Sequence, residues 1–192
     1  MHTEFEVTFP NIDKDALRRQ ILELWGICTR SRTLMRRAVF SHPTDQNAYL
    51  RVRDEGARVT TTYKYFSPGE LTIHSVQEIE CEVSDFAGMR EIYLAMWLRQ
   101  KSYQETYREV WSINQEIECM IDEWPGLHPF VEIEWSDERV VREYVEKLGF
   151  DYTAWIFGAV DQIYFRELGI PCDIFNTKTP IVTFDNPPER YA

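Results

Sequence analysis

Cysteine is scarce and unpaired in this chain of 192 residues. The four cysteines form no CxxC pair and show no cysteine–histidine spacing typical of a metal site. They are Cys28, Cys81, Cys119 and Cys172. That distribution predicts neither a zinc site nor a disulfide framework, and it favours reduced thiols in a cytoplasmic protein.

Long apolar runs are missing as well. No segment approaches the roughly 18 apolar residues that indicate a transmembrane helix. The first residues, 1–9, have neither the basic nor the apolar region of a signal peptide. We therefore expect a soluble protein that is neither exported nor inserted in a membrane.

Positive charge is in deficit, with 21 basic residues against 32 acidic ones and a net charge of -11. Such a chain repels nucleic acids and anionic membranes unless a local basic patch dominates, so we expect neither as a partner. The chain also has no GxxxxGK[ST] and no GxGxxG loop. This excludes the common modes of phosphate binding at a helix N-terminus.

The composition is that of one globular unit, with 44% hydrophobic and 28% charged residues. We expect a single domain over residues 1–170. A tail over 171–192, which holds four of the nine prolines, is expected to dock on that domain or to fray. Monomer and homodimer both remain open.

Hydrophobic periodicity predicts a chain rich in short strands. Residues 4–9 alternate between polar and apolar, and further strand-like runs, several of them separated by turn residues, occur at 34–41, 47–53, 58–66, 76–83, 102–113, 116–122 and 130–135. Helical spacing follows the caps Asp13, Asp85 and Ser136, and a fourth helix is predicted over 159–168. Hairpin connections dominate, so we predict an α+β fold: an eight-stranded antiparallel closed β-barrel with helices packed outside.

Charged residues recur at every second position of several predicted strands and so share one face. The pairs and single charges are Glu4 and Glu6; Arg51 and Arg53; Glu78, Glu80 and Glu82; Glu132 and Glu134; and Lys64, Arg108 and Asp122. For any one strand, a charged face in water is the better interpretation. The alternative is that the apolar faces point outward under the helices and the charged faces line the barrel.

An interior with acidic clusters and several cations would need a bound partner, because like charges at this spacing repel strongly once water is excluded. Carboxylates at such density suit Mg²⁺ or Mn²⁺. Arginines and a lysine facing them suit a polyphosphate. Together they indicate a site for a metal and a triphosphate.

Seven short motifs, in this order and spacing, resemble the CYTH superfamily. They are Glu4-Phe5-Glu6, Leu50-Arg51-Val52-Arg53, Tyr63-Lys64, Glu78-Ile79-Glu80, Tyr107-Arg108-Glu109, Ile121-Asp122-Glu123-Trp124-Pro125-Gly126 and Phe130-Val131-Glu132-Ile133-Glu134. The resemblance covers about residues 3–148. That superfamily includes class IV adenylyl cyclases, thiamine triphosphatases and inorganic triphosphatases, which share an eight-stranded barrel, the triphosphate tunnel.

The resemblance implies roles for individual residues. It implies Mg²⁺ or Mn²⁺ binding by Glu4, Glu6, Glu132 and Glu134, with Asp122 nearby, and triphosphate contacts from Arg51, Arg53, Lys64 and Arg108. Glu80 would be a further acidic member of the site. As catalytic groups it implies Glu4, Glu6, Glu80 and Arg108, while Glu78 and Glu82 could equally lie at the mouths of the barrel.

The family signature is Glu-x-Glu-x-Lys, and this chain departs from it at the fifth position, where Thr8 stands in place of lysine. Arg36 or Arg37 could supply the missing cation, although a solvated surface role is as plausible for either. We expect a metal-dependent phosphohydrolase acting on a small-molecule triphosphate. The alternatives are a class IV adenylyl cyclase and, because of Thr8, a non-catalytic binder of triphosphate or polyphosphate.

Overall fold

The computed structural model describes residues 5–66, 76–156 and 160–191, which form an α+β fold. The strands are β1 (Phe5–Phe9), β2 (Ile27–Ser41), β3 (Ala48–Asp54), β4 (Val59–Phe66), β5 (Val76–Val83), β6 (Gln100–Ile113), β7 (Ile117–Glu123), β8 (Phe130–Trp135) and β9 (Ile181–Val182). The helices are α1 (Lys14–Glu23), α2 (Phe86–Ala95), α3 (Glu138–Lys147), α4 (Asp161–Leu168) and α5 (Cys172–Lys178).

The strands form one curled sheet in the order β1-β8-β7-β6-β2-β3-β4-β5, and all pairs along this path are antiparallel. The predicted closed barrel is wrong. In the parts of the chain that the structure describes, no pairing joins β1 to β5, so the sheet is an open half-barrel. The outer edge of β1 is instead met by the chain beyond α3, where the N–H of Ile156 donates to the carbonyl of Thr8 at 2.9 Å.

Strand β2 is longer than predicted because the first half of the strand shows no regular alternation of polar and apolar residues. It begins at Ile27, and its ladder with β6 shifts register between Cys28 and Arg30 and again between Arg30 and Thr33. Each irregularity turns the following side chains away from strict alternation. The regular strands β5 and β8 have the predicted bounds.

Helices cover the convex face of the sheet. The side chain of Asp13 caps α1 by accepting from the N–H groups of Asp15 and Ala16, as its sequence predicts, whereas α3 is capped by Asp137 and not by Ser136. Helices α1 and α3 bury apolar side chains of the outward strand faces; this core includes Val7, Leu17, Ile21, Ile121, Val131, Ile133, Val141 and Val145. Because the apolar faces of these strands point outward under the helices, their charged faces lie on the concave side of the sheet.

The C-terminal segment packs on the sheet. Strand β9 pairs in parallel with β6, Tyr103 opposite Ile181, on the edge of β6 that β7 also uses but over a stretch that β7 does not reach. Phe175 and Val182 are buried with Trp124. No helix in the described ranges is long and apolar enough to span a membrane.

Candidate functional site

A cavity of about 680 Å³ occupies the concave side of the sheet. It gathers predicted site residues from several strands: Glu6, Arg51, Arg53, Lys64, Glu80, Arg108, Glu132 and Glu134. Glu4 lies outside the described residues. The charged faces of these strands therefore point inward, since their ionic side chains line one cavity on the concave side of the sheet.

Two arginines of β3 form the cationic wall of this cavity. Arg51 donates to the Thr62 hydroxyl at 3.1 Å, and its guanidinium lies 3.5 Å from Glu80, which also lies 3.7 Å from Arg53. The Nε–H groups of Arg51 and Arg53 are buried without an acceptor. A buried donor without an acceptor costs free energy, so both side chains can gain by meeting a ligand oxygen.

Glu55 is a site residue that the sequence did not reveal. It lies in the turn after β3, yet only 1% of its side chain is exposed. Its carboxylate is 2.5 Å from Arg53, 2.9 Å from Arg30 and 2.9 Å from Arg58. Burial opposes its ionisation, but the charges of Arg53 and the other two arginines prevail and lower its pKa to about 2. Glu55 thus anchors the cationic wall.

The lowered pKa of Glu55 makes stability fall in acid. Because the folded pKa of about 2 lies below the ordinary 4.5, the stabilisation is present above pH 5 and is lost as the pH falls towards 2. A shift of this size corresponds to about 3 kcal/mol. We expect Glu55→Gln to flatten the fall in unfolding free energy between pH 5 and pH 2.5, measured by urea denaturation; a slope equal to that of the wild type would refute the assignment.

Carboxylates occupy the other side of the cavity, on β1 and β8. The register places Glu6 opposite Glu134 and Thr8 opposite Glu132. Burial, together with the negative charge of Glu132, raises the pKa of Glu6 to about 7. Such crowding of carboxylates is relieved by a divalent cation, and oxygen donors are what Mg²⁺ and Mn²⁺ prefer.

The donor set of Glu6, Glu132 and Glu134 therefore fits a hard divalent metal ion in its chemistry. Within residues 5–66, 76–156 and 160–191, however, no cluster of three or more acidic, histidine or cysteine side chains is arranged to hold a metal. Coordination of one ion by all three carboxylates would therefore require their side chains to move closer together.

Arg108 lies between the cationic and acidic sides. Its Nε donates to Asp122 at 2.7 Å, and its Nη2 contacts both Asp122 and, at 2.5 Å, Glu132. Burial opposes its ionisation, but the charges of Asp122 and Glu132 raise the pKa of Arg108 well above its usual range. Asp122 is fully buried beneath Arg108 and does not line the cavity, so it holds the arginine rather than facing a ligand.

The remaining predicted acidic residues lie along β5. Glu78 lines the cavity 3.5 Å from Lys64, and Glu80 accepts a hydrogen bond from Thr62 at 2.8 Å. Glu82 is 70% exposed, 3.6 Å from Arg58, and does not line the cavity.

One region of the cavity is lined mainly by aromatic and neutral polar side chains, with Lys101, Asp161 and Arg37 at its edge. Ser102 and Gln104 of β6 lie beside Trp124, whose indole N–H is buried without an acceptor. Helix α5 adds Phe175 and Asn176. We call these five residues the neutral region. Asn176 is already bonded to Lys101 and Asp161, and Gln104 donates to Ser102, so the Trp124 indole is the unmatched donor of this region. An aromatic lining with one unmatched donor suits an organic ring.

The two arginines considered as substitutes for the missing lysine point in opposite directions. Arg36 lies outside the cavity with a 51% exposed side chain, paired with Asp54 at 2.6 Å. Arg37 is buried and lines the cavity.

Comparison with known proteins gives a consistent result for the fold. No protein-family model matches the sequence, and no curated protein matches it. Solved structures do match. The PH1012 protein from Pyrococcus horikoshii is similar with a TM-score of 0.67 and 19% identity, over 80% of this chain and 94% of that one.

Two further solved structures share this fold. A candidate adenylate cyclase from Vibrio parahaemolyticus has a TM-score of 0.68 and 12% identity, over 84% of this chain and 97% of that one. A candidate adenylyl cyclase from Hippeastrum, described as having a dominant triphosphatase activity, has a TM-score of 0.55 and 16% identity, over 85% and 95%. These likenesses show the fold, and they agree with the resemblance to the CYTH superfamily that the motifs indicate.

Proposed function

We propose that the protein is a divalent-metal-dependent triphosphatase that hydrolyses a small-molecule triphosphate inside the concave cavity. The observation that carries this proposal is the cationic wall: Arg51 and Arg53 line the same cavity as the carboxylates of β1 and β8, and their buried Nε–H groups lack acceptors. A planar guanidinium binds phosphate oxygens through two parallel hydrogen bonds, which makes a polyphosphate the natural ligand. The similar fold of the Hippeastrum protein, with its triphosphatase activity, supports the choice of reaction.

In this proposal, different residues of the cavity bind the phosphate chain and position the groups that bind it. Arg51, Arg53 and Lys64 bind the phosphate chain and stabilise the charge that develops on it. Glu80 positions both arginines through its contacts at 3.5 Å and 3.7 Å. Arg108 is committed to Asp122 and Glu132 through Nε and Nη2, and its Nη1, which meets the Met120 sulfur, is the part left for a phosphate oxygen.

Glu6, Glu132 and Glu134 would hold Mg²⁺ or Mn²⁺, together with Glu4 if the family pattern applies. A bound divalent ion neutralises phosphate charge and lowers the pKa of a coordinated water. Glu132 also accepts from Arg108, so the same carboxylate joins the acidic and cationic sides.

Removal of divalent metal is expected to abolish hydrolysis. Chelation with EDTA should lower phosphate release from inorganic triphosphate or ATP at least about 100-fold, because one bound cation supplies several kcal/mol of charge stabilisation. Adding Mg²⁺ or Mn²⁺ in excess should restore the rate, while Ca²⁺ serves as a larger cation for comparison. Full activity in EDTA would remove the metal from the proposal.

A class IV adenylyl cyclase is the second candidate, and the neutral region is the observation that favours it. The buried indole N–H of Trp124, which has no acceptor in the protein, is the group that would donate to a nucleotide base. In that reaction the 3'-hydroxyl of the ribose attacks the α-phosphate and pyrophosphate leaves.

One screen separates the candidates. Purified protein is incubated with ATP, thiamine triphosphate and inorganic triphosphate, each with Mg²⁺ or Mn²⁺. Release of phosphate identifies a hydrolase, and cyclic AMP with pyrophosphate identifies a cyclase. Thermal stabilisation without any product identifies the non-catalytic binder that Thr8 suggests.

A further inference from the structure

Arg37 is a buried cation of the cavity. Among the residues that the structure describes, no carboxylate forms an ion pair with it. Only 7% of it is exposed, and it lines the cavity. Its Nη2 donates to the Thr106 hydroxyl at 2.8 Å, and its guanidinium lies 4.7 Å from the ring centre of Trp124. Its Nε–H is buried without an acceptor.

The sheet places Arg37 against other cations. The β2–β3 register sets it directly opposite Arg53, and like charges in that position destabilise a sheet. Burial, and then the charges of Arg51, Arg53 and Arg108, lower the pKa of Arg37 to about 9, although the charge of Asp122 opposes this shift. Arg53 differs because it has Glu55 as a counter-ion, whereas Arg37 has a hydroxyl and an aromatic face.

An arrangement that costs stability in the free protein fits a residue kept for binding. We propose that Arg37 contacts the substrate directly, gripping together with Arg53 one phosphate group of the triphosphate, and that it supplies from β2 the cation that β1 lacks at Thr8. This inference rests on the proposed function. It assigns Arg37 a role in binding that the neighbouring Arg36 does not have.

Thr106 and Trp124 give Arg37 a fixed orientation without neutralising it. A hydroxyl and an aromatic face hold a guanidinium in place while its remaining N–H groups stay available to an anion. A carboxylate in their place would compete with phosphate. The surroundings of Arg37 therefore suit an anion that arrives from outside the protein.

The test compares Arg37→Met with Arg36→Met, two neighbours on β2 that face opposite sides. Binding of inorganic tripolyphosphate with Mg²⁺ is measured by titration calorimetry, and the unfolding temperature is measured without ligand. We expect Arg37→Met to weaken binding at least tenfold while its unfolding temperature without ligand stays equal or rises, because an unbalanced buried charge is removed. Arg36→Met should bind within twofold of the wild type.

A structural role for Arg37 predicts the reverse: a lower unfolding temperature with unchanged affinity. Wild-type affinity in Arg37→Met would overturn the inference. If that variant does not fold, Arg37→Gln, which can still donate to Thr106, must show the same tenfold loss, and wild-type affinity there is equally decisive against it. Failure of the wild-type protein to bind tripolyphosphate would refute the proposed function itself, which distinguishes the two.

Discussion

Arg53→Gln is expected to lower triphosphate hydrolysis at least about 100-fold while the protein stays folded. The variant removes a buried guanidinium from the wall that would face the phosphates, and a single preorganised donor to developing charge contributes about 10²–10³ in rate. The fold should persist because Glu55 keeps Arg30 and Arg58 as partners at 2.9 Å. Phosphate release under saturating Mg²⁺ measures the effect.

The matched control is Arg139→Gln, since the Arg139 side chain is 90% exposed on α3 and pairs with Asp137 on the surface. It removes the same charge from the protein without touching the cavity. Its rate should equal that of the wild type within twofold. Equal rates for both variants would mean that the cavity arginines do not act on the substrate.

Glu55→Gln is expected to reduce the free energy of unfolding by about 3–5 kcal/mol, which is the usual cost of breaking a buried ion pair from one side. The neutral amide leaves Arg53 buried without a full counter-charge. The substitution also removes the ion pairs with Arg30 and Arg58. Urea denaturation at pH 7 measures the change.

Glu82→Gln is the comparison for this stability effect. Glu82 contacts the same Arg58, at 3.6 Å, but its side chain is 70% exposed. An exposed pair contributes about 0–1 kcal/mol, so this variant should differ from the wild type by less than about 1 kcal/mol. A Glu55→Gln variant as stable as Glu82→Gln would contradict the view that Glu55 anchors the cationic wall.

The fold was predictable where strand periods are regular. Residues 131–135 alternate strictly, and β8 has the predicted bounds, 130–135. The first half of β2 was missed because bulges break its alternation, and the tail's β9 is a two-residue strand with no period to detect. Closure was predicted wrongly, because whether β1 meets β5 depends on the curl of the sheet and on which segment reaches the edge of β1 first. No local pattern encodes either.

The site was predictable where a residue belongs to a strand. Alternation alone predicts that Arg51 and Arg53 share one face of their strand. That this face is concave follows only from the structure, in which the apolar core of Val7, Ile133 and Val141 lies on the outward side of the sheet. The role of Glu55 could not be predicted from the sequence because the residue lies in a turn, where side chains are ordinarily exposed. Its one signal is its place two residues after Arg53.

Titration calorimetry of the wild-type protein with inorganic tripolyphosphate in Mg²⁺ tests most directly whether the inward-facing charges form a polyphosphate site. One molecule should bind per chain, with affinity at least tenfold higher than that for orthophosphate, because several guanidinium groups engage the longer anion at once. Absence of saturable heat at millimolar tripolyphosphate, or equal affinity for orthophosphate, would contradict it.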